Sequence, residues 1–506
     1  MPTIQDKRSP TRQSRYGDGA RVILGADGLP ARRSLGEGGP ILRAEYDAVG
    51  SSNRRRLPAT VLRDEDRELL PQSRGAMVAA ARDIRRNYSI AAWAIRKHLD
   101  YVSTFTFQSR TGDADLDARI ENLMAWWGRR ENCDVAARHP LPRLTRLLEA
   151  HRVVDGDVFL LKLLDGRVQG IEGDRVRNPW GGLPPGVAAG SLLHGVQVDS
   201  PGKALAYSVC RRIGGTGFEF ERLLPAAWVY HHGYFDRLDQ VRGVTPLSSA
   251  LNDFRDCYEA KDYALAKMKI SQLFGLIFYR EAAEEMGVVT PQASADAASA
   301  GTSTPEYYEV DLGKGPFKVE LDPGDRAEWL ETKSPAAETL AFFQAMIEAA
   351  LKSLDLPMSF YDGSRTNFFG SRAELNHYLA GAAIKRRDIQ DMLGWLTAWR
   401  LGMSVDRGLL KLPAGLKLRD LKSEWVHAGL PWWNPQQEVN ADIQALAGAL
   451  TSRQRVTKER GEDWYEIVDE LAAEQKTLAE RGLPTDLKPA HVLVQDMAGE
   501  GKGKDA

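Results

Sequence analysis

The sequence predicts an α+β protein of several domain-sized pieces, organised around long helices. Three observations point there. The chain has 506 residues, too many for one small domain. Residues 150–235 carry short β-rich runs, VFLLKLL and WVYHH, between the Gly-rich turns GGLPPG and GGTG. Residues 245–279, 335–357 and 374–401 show apolar residues at helical spacing, with N-terminal start signals.

The elements follow in order. Residues 1–60, rich in Gly, Arg, Ser and Pro, read as a disordered basic segment. Residues 1–56 hold eleven Lys/Arg and six Asp/Glu, a balance of +5; the chain's net charge of −2 leaves −7 for the rest. The run Ser51-Ser52-Asn53-Arg54-Arg55-Arg56 reads first as a solvated tail and second as a nucleic-acid contact. Helices are expected over 73–100, where Met77, Ile84, Tyr88, Ala92 and Ile95 recur, and over 115–130, closed by Trp126-Trp127. After the strand-and-turn region, Thr245 is a good N-cap and Pro246 suits the first helical position. That helix is expected to run unbroken to Tyr279. Arg255, Glu259, Lys261, Asp262, Lys267 and Lys269 interrupt it evenly, which excludes a membrane helix.

Residues 281–334 form an irregular insert. Its middle, PQASADAASAGTSTPE, is low-complexity, and its flanks YYEVDLG and FKVELD read as short strands. A second helix starts at Ser334-Pro335, with Leu340, Phe343, Ile347, Ala350, Leu351 and Leu354 on one face, and ends before Pro357. FYDGSRTNFFGSRAELNHYL (360–379) then opens as a polar, Gly-bearing loop. Ser371-Arg372-Ala373-Glu374 reads as a capping box that starts the next helix. This helix reaches Leu401, with Leu375, Leu379, Ala382, Ile389, Met392, Leu396 and Trp399 buried. Residues 436–482 read as two amphipathic helices, and 483–506 as a polar tail.

Composition narrows the function. Cys133, Cys210 and Cys257 are odd in number and far apart, which excludes a disulfide framework and fits a reducing cytosol. MPTIQDKRSP lacks the apolar stretch of a secretory signal. No apolar run is long enough to span a membrane. GxxxxGK[ST], HExxH, GxSxG and CxxC are all missing. Gly214-Gly215-Thr216-Gly217 reads as a turn. His231-His232 would face opposite ways on a strand, one buried and one exposed, and so could not share a metal. Asp155-Gly156-Asp157 and Asp322-Pro323-Gly324-Asp325 are turn sequences on which nothing converges. Trp432-Trp433 reads first as packing and second as a base or sugar platform. The residues alone therefore indicate an assembly component rather than a catalyst. The rivals are another kind of structural assembly protein and a carboxylate-dependent hydrolase.

Further motifs run in order along residues 75–482. ARDIRRNYSIAAWAI carries Arg82, Arg86 and Asn87. GDVFL follows, then IEGDRVRNP with Glu172, Asp174 and Arg175, then HGVQVDSPGKALAY. HHGYFDRLDQVRGVTPL places His231, Arg237, Gln240, Arg242 and Gly243 before a long helix. LDLPMSFYDGSRTNFFGSRAELNHY carries Pro357, Ser371 and Arg372. PWWNPQQEVNADIQALAGALTSRQRVTKERGEDWYEI carries Pro431, Trp432, Pro435, Glu438, Ala441, Gly448, Ser452 and Gly461. In number, order and spacing these motifs resemble the lambda-type portal proteins of tailed bacteriophages; Asn434 departs from that family's usual Asp.

The resemblance implies a portal fold: a mixed α/β wing (61–244), first stem helix (245–279), small α/β clip (280–334), second stem helix (335–357), tunnel loop (358–373), wing return (374–435) and helical crown (436–482). It implies a homo-oligomeric ring, typically of twelve copies, at one capsid vertex of the virion, assembled in the host cytoplasm. Double-stranded DNA would pass through its channel. The terminase large subunit, head-tail connector and capsid or scaffold proteins would dock on it, with no cofactor, metal or membrane. On this reading Arg365, Thr366, Asn367, Phe368, Phe369 and Arg372 line the channel, with Gly363 and Gly370 as hinges. The two phenylalanines pack the loop root or form a hydrophobic constriction. Lys385-Arg386-Arg387 face DNA or water.

Overall fold

Strand residues Asp157–Lys162, sequence DVFLLK, are buried on both faces, and they form the middle of a three-layer arrangement. The computed structural model describes residues 64, 69, 71–180, 182–188, 190–214, 217–273, 276–280, 325–329, 337–429 and 434–483. Its architecture is α+β, as expected.

Two helices come first, α1 (Pro71–Asn87) and α2 (Ser89–Val102), where the sequence predicts one. The break is Tyr88, whose backbone is extended. Its ring docks edge-on against Phe254 and Tyr258, with centroids 6.0 and 5.7 Å away. Periodicity continues through the break, so the sequence conceals it. Strand β1 (Phe105–Ser109), helix α3 (Ala114–Trp127) and the short α4 (Arg130–Cys133) follow. Asp113 caps α3 by accepting from the amides of Asp115 and Leu116. Helix α5 (Leu141–Asp155) is absent from the sequence-based expectation; its last turn falls within the expected strand region. Gly156 ends it at φ 90°, a conformation that favours glycine.

The expected strands are present. β2 (Asp157–Lys162), β3 (Val168–Glu172) and β8 (Val229–Gly233) form an antiparallel sheet with β2 central. β4 (Leu192–Leu193), β5 (Val196–Val198), β6 (Ala204–Ile213) and β7 (Gly217–Pro225) form a second sheet in sequential order. Ile213 pairs with Gly217 at the end of the β6–β7 ladder; Gly215 and Thr216 lie outside the described residues. Alternation on β2 divides the core. Val158 and Leu160 join the helix-lined core, while Phe159 and Leu161 join a core shared with Val196, Tyr207, Val209 and Leu224 of the second sheet. Each such burial contributes roughly 1.5–3 kcal/mol.

Thr245 caps as expected, accepting from the amide of Leu247, but Pro246–Ser249 is a 3₁₀ turn. Helix α6 covers only Leu251–Leu273, and β9 (Leu276–Arg280) pairs antiparallel with β10 (Asp325–Trp329). The expected helix to Tyr279 is thus too long, because the run LIFYR becomes a strand whose partner lies in a distant segment. YYEVDLG, FKVELD, Ser334-Pro335, the basic N-terminal segment 1–60 and the polar tail beyond residue 483 lie outside the described residues. Helix α7 (Ala337–Leu351) packs on α6 and closes in a 3₁₀ turn, Lys352–Leu354. Helix α8 (Phe368–Asp406) has 39 residues, about 58 Å of length. Ala382, Ile389, Met392 and Leu396 are buried as expected; Tyr378 is buried too, while Leu375, Leu379 and Trp399 are half-buried. Strand β11 (Ser423–His427) returns to pair with β1. Three helices follow, not two: α9 (Pro435–Ala447), α10 (Arg453–Glu459) and α11 (Trp464–Glu480). No described helix is long and apolar enough to cross a membrane.

Candidate functional site

The stretch before α8 is more structured than a free loop. Met358–Phe360 and Gly363–Arg365 are 3₁₀ turns. Asp362 caps the second by accepting from the amide and hydroxyl of Ser364, at 3.0 and 2.6 Å. Asn367 caps α8, accepting from the amide of Gly370 at 2.7 Å. The expected Ser371 cap is therefore wrong, since Asn is an equally strong cap and acts four residues earlier. Ser371 lies inside the helix, with its hydroxyl on that of Thr366. Glu374 accepts from the amide of Ser359 at 3.4 Å.

Of the two roles expected for Phe368 and Phe369, packing of the loop root falls to other rings. Phe360 holds the root, stacking on Tyr101 and meeting Tyr378 edge-on, both at 5.3 Å. Tyr361 meets Trp93 at 5.9 Å. Phe368 and Phe369 sit in the first turn of α8 instead, 42% and 79% exposed. Arg372 pairs with Glu438 of α9 at 3.5 Å, so two residues named from the sequence meet across distant segments. Pro435 is the first residue of α9, and Asn434 caps it. Its departure from Asp is harmless, because either side chain accepts the capping hydrogen bond. Pro357 is buried and leads into the first 3₁₀ turn. Trp432 and Trp433 lie outside the described residues. Lys385 donates to Asp355 at 2.8 Å and Arg386 to the carbonyl of Tyr101 at 2.8 Å, so both turn toward the protein.

A buried charge cluster centres on Asp157. Asp157, fully buried, accepts from Arg242 Nε at 2.6 Å and Nη2 at 2.8 Å, Arg74 Nη2 at 2.8 Å, His231 Nε2 at 3.1 Å and the amide of Gly243 at 3.0 Å. Arg242 also donates to the carbonyls of Val176, His194 and Gly173. All five guanidinium hydrogens are thereby engaged. Burial alone would raise the Asp157 carboxyl, but Arg242 and Arg74 hold it well below the usual range. Gly243 must lack a side chain: a Cβ there would strike the Gly156 backbone. Gln240 braces the turn, donating to the carbonyl of Arg242 at 2.8 Å and accepting from the amide of Asp236 at 2.8 Å. Arg237 is exposed and pairs with Asp239 at 3.0 Å.

A second centre is Glu149 on α5. His98 and His232 donate from Nε2 at 3.0 and 3.1 Å, and Arg152 Nε lies 3.1 Å away. Burial would raise the Glu149 carboxyl, but Arg152 and the two histidines hold it far below the carboxylate range. Arg152 continues to Asp388 of α8 at 2.8 Å. His231 and His232 do face opposite sides and serve different carboxylates. The expectation that one is exposed fails, because strand β8 is covered on both faces. The expectation that nothing converges on Asp155-Gly156-Asp157 fails as well; Arg82 grips Asp155 at 2.6 and 2.7 Å. Sequence reasoning misses Glu149 and Arg152. Leu141, Leu144 and Leu148 at helical spacing, with Glu149 and Arg152 three apart, are the signal that could find them. With every carboxylate of the cluster tied to a cation, the arrangement braces elements together and presents no free acid–base pair.

A model of "Phage portal protein, lambda family" matches residues 53–385. The chain is 23% identical over 402 residues to a "Probable portal protein" of Halomonas phage phiHAP-1, covering 74% of this chain and 73% of that protein. Two solved structures of gene transfer agent particles share a distant likeness. The neck of the native particle, computed with C12 symmetry, has a TM-score of 0.42 at 13% identity, over 74% of this chain and 91% of that one. The virion has a TM-score of 0.44 at 13% identity, over 76% and 93%.

Proposed function

From the premise that this chain belongs to the lambda family of phage portal proteins, a structural and not a catalytic family, we propose that it forms a ring at one capsid vertex. Viral DNA is packaged and ejected through the channel of that ring. The terminase large subunit docks on it first, and head-tail connector proteins later. The observation that carries the reading, beyond the family, is a pair of packed helices around an insert that leave large apolar side chains uncovered. Tyr258, Tyr263 and Leu265 on α6, with Leu340 and Phe342 on α7, are between 43% and 73% exposed in a single chain. Such a surface suits burial against neighbouring copies.

In this reading the segment 358–373 and the first turn of α8 reach the channel. A conduit must touch a moving polyanion without gripping it, and phosphate affinity rises with each cation engaged. Arg365 and Arg372 are the only cations of the segment, and Arg372 already has a carboxylate partner in Glu438. The exposed Phe369 ring adds an apolar contact that holds no phosphate. The test uses particles assembled with an Arg365→Ala, Arg372→Ala double variant. Intact rings with poorly filled or leaking heads are expected. Normal yields of full, infectious particles would refute the channel role, and absence of the chain from the vertex would refute the portal reading itself.

A further inference from the structure

A cavity of about 520 Å³ opens beside the Asp157 cluster, between α1, the segment after β3 and the start of β7. Five arginines line it, Arg74, Arg82, Arg86, Arg177 and Arg242, against one carboxylate, Asp174. That carboxylate is already occupied, accepting from Arg212 at 2.7 and 2.8 Å and from Arg82 at 3.4 Å. Arg242 has no donor left, and Arg82 is held by Asp155. Arg74 and Arg177 differ. The Nε of each is buried and finds no hydrogen-bond partner among the described residues. Arg74 is only 8% exposed, and the Arg177 guanidinium is fixed 4.1 Å over the Phe218 ring.

Buried unpartnered donors are costly, and guanidiniums match carboxylate geometry. Burial, and then the Arg242 charge, push Arg74 down to about 10, so an arriving anion relieves repulsion there. Between the cations the walls are apolar, with Val78, Ala79 and Val176. A free phosphate gains nothing from such walls. The recessed donors also require a thin carrier, which a peptide is and a duplex is not.

We propose that this cavity docks a carboxylate carried on an apolar polypeptide segment of a partner protein, an acidic side chain seated between Arg74 and Arg177. The site goes beyond the channel function and does not depend on ring formation. The test is calorimetric titration of the full chain with the acetylated, amidated peptide Ala-Val-Glu-Val-Ala. The matched Gln peptide, inorganic phosphate and a short DNA duplex are titrated in parallel. The Glu peptide is expected to bind, and the Gln peptide to bind at least about tenfold more weakly, as loss of a charged hydrogen bond implies. Arg177→Gln should weaken the Glu peptide by about tenfold without changing the melting temperature. If that variant does not fold, Arg86→Gln at the exposed rim should weaken binding in the same direction. No binding of the Glu peptide, equal binding of the Gln peptide, or indifference to both variants overturns the site. Phosphate or duplex binding as tight as the peptide overturns the polypeptide assignment.

Discussion

Arg242 and Arg237 lie five residues apart in one motif, yet they should behave very differently when removed. Arg242 is 1% exposed and fills the space between Asp157 and three backbone carbonyls. In Arg242→Met, Asp157 keeps Arg74, His231 and the Gly243 amide but loses its bidentate partner. Three backbone carbonyls, of Val176, Gly173 and His194, lose a donor as well. Breaking a buried ion pair by removing one partner costs about 3–5 kcal/mol, and the carbonyls place the loss at the upper end. Arg237 and Asp239 are 44% and 43% exposed, so Arg237→Ala should cost less than about 1 kcal/mol. Amide hydrogen exchange over β2 and β8 reads this locally, without assuming two-state unfolding of a large chain. In Arg242→Met these strands should exchange roughly a thousandfold to several thousandfold faster, while Arg237→Ala stays near wild type. Equal exchange in both variants would falsify the claim that the Asp157–Arg242 pair holds the β2 sheet to the segments around it.

Acid should weaken the fold in two stages. Burial lowers the pKa of His98, His231 and His232 below the ordinary 6.5. The unfolded chain therefore binds protons that the folded chain refuses, and stability present above about pH 6.5 is lost as pH falls. Each histidine contributes up to about 1.4 kcal/mol per pH unit. Glu149, Asp155 and Asp157 have folded pKa values below their unfolded ones; their contribution persists to about pH 4 and is lost below it. Denaturant midpoints across pH 4–8 check the first stage, and a flat profile contradicts it. At the head of α8, Asn367→Ala should cost about 1 kcal/mol and Ser371→Ala clearly less; thermal melting or exchange of residues 368–372 separates them. Gly243→Ala should prevent correct packing of β2 against the following turn, because the new Cβ meets backbone and not a movable side chain. A soluble, native-like Gly243→Ala variant with wild-type exchange would contradict that placement.

Long-range partners account for most of what the sequence conceals. The periodic faces of α1, α2 and α8 are legible because apolar spacing alone decides them. Ala382, Ile389, Met392 and Leu396 follow from that spacing. The break at Tyr88 and the strand at Leu276–Arg280 are not legible, since each depends on a partner far along the chain, Phe254 in one case and Asp325–Trp329 in the other. The start of α8 is misplaced from sequence because Asn367 and Ser371 are both good caps, and only packing of Phe360 on Tyr101 and Tyr378 settles which one acts. Of the site residues, the resemblance marks His231, Arg242 and Gly243 without giving a reason. The structure supplies one: they surround Asp157. Glu149 and Arg152 escape notice because a helix rich in buried charge does not look like core.

The mass and shape of the purified full chain test the central claim most directly. Light scattering across a wide concentration range, with negative-stain images of the same sample, gives both. The account predicts a ring of about twelve 56.1 kDa chains with a central hole. A monomer at every concentration, still monomeric when produced together with its capsid and scaffold proteins, would contradict it.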